Sequence, residues 1–214
     1  PHRSPLFPYT TLFRSFARER TLTADVAHEL RTPLAGLRAT LEVAATRTRT
    51  GEEYRMLLAD ALAVAVQLQA LTENLLALAR LEAGQVELKL ERFELEAALR
   101  ECWTPLARRA DERKLDVRWR VASGTHVAAD RGKLRQIATN LLDNAVTYAD
   151  TGGRMQVFAA ARDGAVVLEV ANSGSRLTAG QVGHVFDRFW RGDAARGATG
   201  VHCGLGLALV KRLV

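Results

Sequence analysis

Two runs of this chain repeat apolar side chains at alternating intervals of three and four residues, and that rhythm restricts its first half more than anything else does. The first run is Ala27, Leu30, Leu34, Leu37, Leu41 and Ala44; the second is Leu57, Ala61, Val64, Leu68, Leu71, Leu75 and Leu78. A mean interval of about 3.5 residues is the seam of a coiled coil or a helical bundle. The spacing predicts a first helix from about Phe16 to Arg47, a polar turn from Thr46 to Glu53 around Gly51, and a second helix carrying the second run. A single hairpin of this kind still exposes one apolar stripe. Pairing two hairpins into a dimeric four-helix bundle covers it.

His28 falls about 100° round from Ala27, just off the first seam, so its ring is expected to face solvent. Thr32 lies at i+4 and points the same way, and Glu29 is the acidic neighbour. An exposed imidazole beside a carboxylate suits a nucleophile whose protonation the carboxylate controls.

Beyond Gly84 the pattern changes. Val86, Leu88 and Leu90 alternate as in a short strand, Glu94 to Cys102 reads as a helix, and Leu115, Val117 and Trp119 alternate again. A helix is predicted from about Lys133 to Tyr148. A hairpin follows, Met155 to Ala161 and Val166 to Ala171, turning at Asp163-Gly164. The fold class is therefore an all-α helical hairpin (residues 16–84) followed by an α+β sandwich (85–214). Within the helix ending at Tyr148, Leu134, Ile137, Ala138, Leu141 and Ala145 form one face, while Gln136, Asn140, Asp143, Asn144 and Thr147 form the other. Asn is a mediocre helix former, so Asn140 and Asn144 at i, i+4 ask for a reason. Oxygen ligation of Mg²⁺ supplies one and an ordinary solvated face is the plain alternative.

Four resemblances fit this division. Thr23-Ala-Asp-Val-Ala-His28-Glu29-Leu-Arg-Thr32-Pro-Leu34 resembles the phosphoacceptor box of bacterial two-component sensor histidine kinases. Asn140-Leu-Leu-Asp-Asn144-Ala resembles the asparagine box of the ATP-binding domain shared by histidine kinases, gyrase and MutL. Val185-Phe-Asp-Arg188-Phe-Trp-Arg191 resembles the phenylalanine box ahead of that domain's ATP lid, and Gly204-Leu-Gly206-Leu its last glycine box.

The resemblance implies that His28 takes the γ-phosphoryl of ATP on Nε2 and passes it to an Asp of a response regulator. It implies that Glu29 orients His28, and that Thr32 positions a water for the reverse, phosphatase activity. It further implies Asn140 as the Mg²⁺ ligand, Asn144 near the phosphates and metal, and Tyr148 at the border of the nucleotide pocket. Arg188 and Arg191 are the candidate phosphate contacts. Gly204 and Gly206 let backbone N–H groups approach phosphate at a helix N-terminus. Family members also dimerise through the helical hairpin.

The sequence departs from the family pattern at several points. The first glycine box, normally Asp-x-Gly-x-Gly, reads Asn172-Ser-Gly174-Ser-Arg176, so adenine's amino group would meet a carboxamide oxygen rather than a carboxylate. A basic residue usually stands where Thr147 does, and a glycine where His202 does. These departures keep open a phosphatase-dominant or catalytically inactive kinase, and a purely structural dimerisation module.

Composition bounds the rest. The 214 residues are 48% apolar, and the formal charge of +6 comes from scattered arginines with no aromatic-basic motif, which argues against nucleic acid. Cys102 and Cys203 match no metal spacing and suit a reducing cytoplasm. No uninterrupted apolar run of 18 residues occurs, so no membrane span is expected, and membrane attachment would come only through missing N-terminal segments. Pro1 to Ser15, with prolines at 1, 5 and 8, reads as an extraneous or disordered leader. The ATP-binding domain is expected to be truncated at Val214, leaving an open sheet edge. The expected setting is a cytoplasmic portion of an inner-membrane protein.

Overall fold

The computed structural model describes residues 7–85, 87–192 and 203–214, with side chains from residue 24 onward. It divides into two compact units. One takes in the described residues up to Thr72, the other those from Glu73 to Gly192 and from Gly204 to Val214.

The first unit contains helix α1 (Phe7–Ala45) and most of α2 (Gly51–Glu82). Helix α1 starts earlier than the expected Phe16, because Pro8 falls in the first turn, where its missing N–H has no intrahelical partner to lose. The turn is shorter than expected. Thr46 Oγ1 and the Arg49 guanidinium each donate to the Val43 carbonyl, at 2.8 and 2.7 Å, and close the end of α1. Thr50 then opens α2 with a reciprocal cap: its Oγ1 accepts from the Glu53 N–H at 3.2 Å, and Glu53 Oε2 accepts from the Thr50 N–H at 2.8 Å. That backbone bond holds the Glu53 carboxyl below its usual range. The Thr-x-x-Glu spacing was a start signal inside the stretch expected to be a turn.

Within this unit the second seam is covered as expected, with Ala61 and Leu71 buried and Leu57, Val64 and Leu68 half-buried. The first seam splits. Leu30, Leu37 and Ala44 are half-buried, whereas Ala27, Leu34 and Leu41 are exposed, Leu34 by 57%. Leu58, Leu62 and Val66 form a further exposed stripe on α2, Leu62 by 65%. Helix α2 thus carries apolar residues on two faces. Its best 18-residue window reaches a mean hydropathy of 1.4, enough by length and composition to cross a membrane, which the absence of an uninterrupted apolar run did not anticipate. Two apolar stripes are also the pattern of a bundle helix with two neighbours.

The second unit is the expected α+β sandwich. Strand β1 (Leu90–Glu94) pairs antiparallel with β3 (His126–Asp130). A three-stranded sheet runs β2-β4-β5, with β2 (Asp116–Val121) parallel to β4 (Arg154–Arg162) and β4 antiparallel to β5 (Ala165–Asn172). The β4–β5 turn places Asp163 at φ 50° and Gly164 at φ 76°, the two positive angles of a type I′ turn. Helix α3 (Leu95–Glu112) and helix α4 (Arg131–Tyr148) pack on each other, and α4 also packs on α6 (Gly206–Leu213); a single turn, α5 (Ala179–Val182), lies between β5 and α6. Met155, Val157 and Ala159 of β4 point inward at period two and meet Leu99, Ala138, Leu142 and Val146 in one core. Burying each of the larger side chains contributes about 1.5–3 kcal/mol.

Two expectations are corrected here. The strand anticipated from Val86 to Leu90 instead starts at Leu90, since β3 pairs with 90–94 and leaves Leu88 and Leu90 exposed while Phe93 enters the core. The helix anticipated to end at Cys102 continues to Glu112, because Leu106 and Ala110 extend the buried stripe past Pro105. Strand β3 itself had no clear alternation to reveal it.

Candidate functional site

His28 lies on α1 with its side chain exposed, as its position off the seam requires. Thr32 shares its face: its hydroxyl donates to the His28 carbonyl at 3.4 Å. Glu29 is half-buried beside them. One residue after Thr32, Pro33 sits inside the helix and cannot donate to the Glu29 carbonyl. Both the hydroxyl back-bond and the proline relax the helical ladder in the turn that follows His28.

The second constellation is assembled from four segments of the other unit. Helix α4 is started by Asp130, whose carboxylate accepts from the Lys133 N–H at 2.9 Å and from the Lys89 N–H at 3.0 Å. Those bonds hold the Asp130 carboxyl below its usual range. Near the middle of α4, Asn140 Nδ2 donates to the Gln136 carbonyl at 2.8 Å, which turns its Oδ1 toward α6. A Cβ placed on Gly206 would lie 2.5 Å from that oxygen, so only glycine lets the first turn of α6 approach Asn140 this closely. Gly204 has φ +67° and its Cβ would meet the Phe189 and Trp190 backbone at 2.7 Å. Its carbonyl accepts from the Phe189 N–H at 3.0 Å, and Phe189 itself has φ 59°. The glycine box and the phenylalanine box are therefore locked together by two left-handed residues.

Further along α4, Asn144 is half-buried one turn on, and Tyr148 is partly exposed at the helix end. Desolvation raises the Tyr148 hydroxyl above its usual value; the nearby Arg191 opposes that rise and Asp143 adds to it. Asn172 ends β5 with its Nδ2 donating to the Ser173 carbonyl at 3.0 Å, leaving Oδ1 as the acceptor. Gly174, at φ +87°, packs on the Asp150 carboxylate, which a Cβ would meet at 2.5 Å.

Arg188 is placed differently from its expected role. Its guanidinium pairs with Glu82 at the end of α2, an acid that Arg212 also approaches at 3.8 Å. A phosphate contact by Arg188 requires that pair to open. The Gly- and Ala-rich stretch between the phenylalanine box and the last glycine box, which the resemblance implies is the ATP lid, lies for the most part outside the described residues.

Sequence reasoning missed Arg109, on α3. Its guanidinium pairs with the Asp143 carboxylate and donates to Thr147 Oγ1 at 3.1 Å and to the Asp143 carbonyl at 3.3 Å. It looked like one more scattered arginine, and only the packing of α3 on α4 gives it a role. Asp150 was missed for the same reason.

Chemically, the arrangement joins one amide oxygen, a helix N-terminus opened by glycines, and an aromatic hydroxyl beside an arginine. Among the described residues no cluster of three or more His, Cys, Asp or Glu could hold a metal. A divalent cation here would take Asn140 Oδ1 and complete its shell with ligand and water oxygens, which suits Mg²⁺.

Residues 18–84 match the His Kinase A (phospho-acceptor) domain, and residues 129–214 match the Histidine kinase-, DNA gyrase B-, and HSP90-like ATPase. The chain is similar to the sensor protein CzcS of Cupriavidus metallidurans, 34% identical over 188 residues that cover 88% of this chain and 39% of that protein. It is similar in structure to the Acinetobacter baumannii histidine kinase AdeS, with a TM-score of 0.66 and 25% identity over 87% of this chain and 85% of that one. Full-length ShkA in complex with AMPPNP matches at a TM-score of 0.63 and 31% identity, over 91% of this chain and 40% of that one. The chain spans about two fifths of the length of the curated relatives it matches.

Proposed function

The chain belongs to the sensor histidine kinases of bacterial two-component systems, and we propose that it moves the γ-phosphoryl group of ATP onto His28 and hands it to an aspartate of a response-regulator receiver domain. In the first step the Nε2 lone pair forms a bond to γ-phosphorus, the bond to the β,γ-bridging oxygen breaks, and ADP leaves. Catalysis of such a transfer is mostly positioning and charge stabilisation. Glu29 holds the imidazole in the tautomer with Nε2 free, and Thr32 positions the water used in the reverse, hydrolytic reaction.

The observation that carries the nucleotide half is the contact between Asn140 and Gly206. It supports a site where an amide oxygen faces metal-bound phosphate and the N–H groups opening α6 face the same anion. Mg²⁺, held by Asn140, would offset charge on the β- and γ-phosphates when bound. Asn144, Gly204 and Arg191 border the phosphates. Tyr148 flanks the base, and Asn172 Oδ1 accepts from the adenine amino group within the loop kept open by Gly174. ShkA, which was solved with AMPPNP, supports the nucleotide reading.

The exposed apolar residues of the hairpin support a homodimer in which two copies form a four-helix bundle. We further propose a parent protein of the bacterial inner membrane with this portion facing the cytoplasm, a reading supported by the likeness to sensor proteins such as CzcS. Titration with ATP and Mg²⁺ tests the nucleotide half. Wild type should bind at micromolar to millimolar concentration, and Asn140→Ala should lose at least ten-fold in affinity. Equal binding by both would remove Asn140 from the site.

A further inference from the structure

Asp143 poses a problem for the nucleotide reading, on which this inference rests. It stands on the polar face of α4 between Asn140 and Thr147, so its carboxylate borders the region that ATP, a polyanion, would enter. Its field already reaches the Tyr148 hydroxyl at the helix end. A carboxylate left uncompensated there repels phosphate over several ångströms, because the partly buried helix face is screened less than open water.

The compensation comes from a different helix. Arg109 of α3 pairs with the Asp143 carboxylate, donates to the Asp143 carbonyl at 3.3 Å and donates to Thr147 Oγ1 at 3.1 Å. The Thr147 hydroxyl in turn donates to the same Asp143 carbonyl at 2.8 Å. One guanidinium therefore fixes both polar side chains on this edge of α4. The Arg109 side chain keeps 39% of its exposure and that of Asp143 keeps 25%, so the pair lies at the solvent boundary where a ligand can meet it.

We propose that Arg109 is a positioning residue for the nucleotide: it cancels the Asp143 charge and brings a cation from α3 to the edge of α4 that faces the triphosphate. A purely structural arginine would only pin α3 to α4. The two roles separate in how the effect depends on ligand charge, salt and the partner acid.

The experiment titrates ATP, ADP and adenosine into the wild-type chain, Arg109→Ala and the double variant Arg109→Ala/Asp143→Asn, at low and high salt. The expected result is a loss on the order of ten-fold for ATP in Arg109→Ala at low salt. The loss should be smaller for ADP and small for adenosine, should shrink as salt rises, and should be mostly recovered in the double variant. Arg109→Gln, which keeps a donor toward Thr147 without the charge, serves if the alanine variant loses its circular dichroism. It should show the same ordering of losses. An equal loss for ATP and adenosine, or no recovery on removing the Asp143 charge, would overturn the proposal and leave Arg109 as a packing residue. Unchanged ATP affinity would overturn it as well. If wild type binds no nucleotide at all, the nucleotide reading itself fails and this proposal falls with it.

Discussion

The hairpin and the α+β unit each carry polar residues at helical spacing, yet they build their candidate sites in opposite ways. In the hairpin, His28, Glu29 and Thr32 lie within five consecutive positions of one helix, and their arrangement follows from the helical pitch alone. In the other unit, Asn140 meets Gly206, Gly204 meets Phe189, and Gly174 meets Asp150, pairs separated by 15 to 66 residues. The first kind of site is set by local geometry and survives if the helix survives. The second exists only once the core has formed, so it is sensitive to volume at points of close approach.

Glycines give the largest contrast. Gly36 is an exposed helical position with no atom near its Cβ direction, whereas a Cβ on Gly206 would meet Asn140 Oδ1 at 2.5 Å. Gly206→Val should reduce ATP affinity about 100-fold or more, with the fold of the hairpin unaffected. Gly36→Ala should stabilise the hairpin by about 0.5–1 kcal/mol, since it replaces glycine in a helix interior. Calorimetric titration and thermal melts read the two effects, and a tolerated Gly206→Val would remove the close-approach argument.

A smaller effect is expected on assembly. Leu62 is 65% exposed in the single chain, and Leu62→Glu should weaken self-association at least ten-fold in sedimentation while leaving the helical content of each chain intact. Unchanged association would place the dimer contact on another stripe, such as that of Leu34 and Leu41.

The smallest effect concerns Asp130. Loss of this N-cap in Asp130→Ala should cost about 1 kcal/mol at neutral pH. Because the folded carboxyl is held below its ordinary value by backbone N–H groups, its contribution is present above about pH 4 and disappears as pH falls through the lower folded value. The difference in melting temperature between wild type and variant should therefore narrow in acid. A constant difference would mean that the cap does not act through its charge.

How much of this was legible before folding differs between the two units for the same reason. The seam, the exposed His28 and the Asp163-Gly164 turn each depend on residues within a few positions of one another, and the sequence displays them directly. Helix α3 was cut short at Cys102, although Leu106 and Ala110, beyond Pro105, still find a core to enter. Strand β3 was invisible because its identity comes from pairing with β1. Asn140, Asn172, Gly174, Gly204 and Gly206 were singled out through family motifs, whose spacing already encodes the fold. Arg109 and Asp150 belong to no motif, and Arg188, although it stands in the phenylalanine box, finds its partner Glu82 only in the folded chain.

The central claim is that His28 accepts phosphate from ATP bound in this chain. Incubating the protein with γ-labelled ATP and Mg²⁺, alongside His28→Ala, tests it most directly. The account predicts label on wild type that is lost in acid, stable in base and absent from the variant. Equal labelling of both proteins, or acid-stable label, would contradict it.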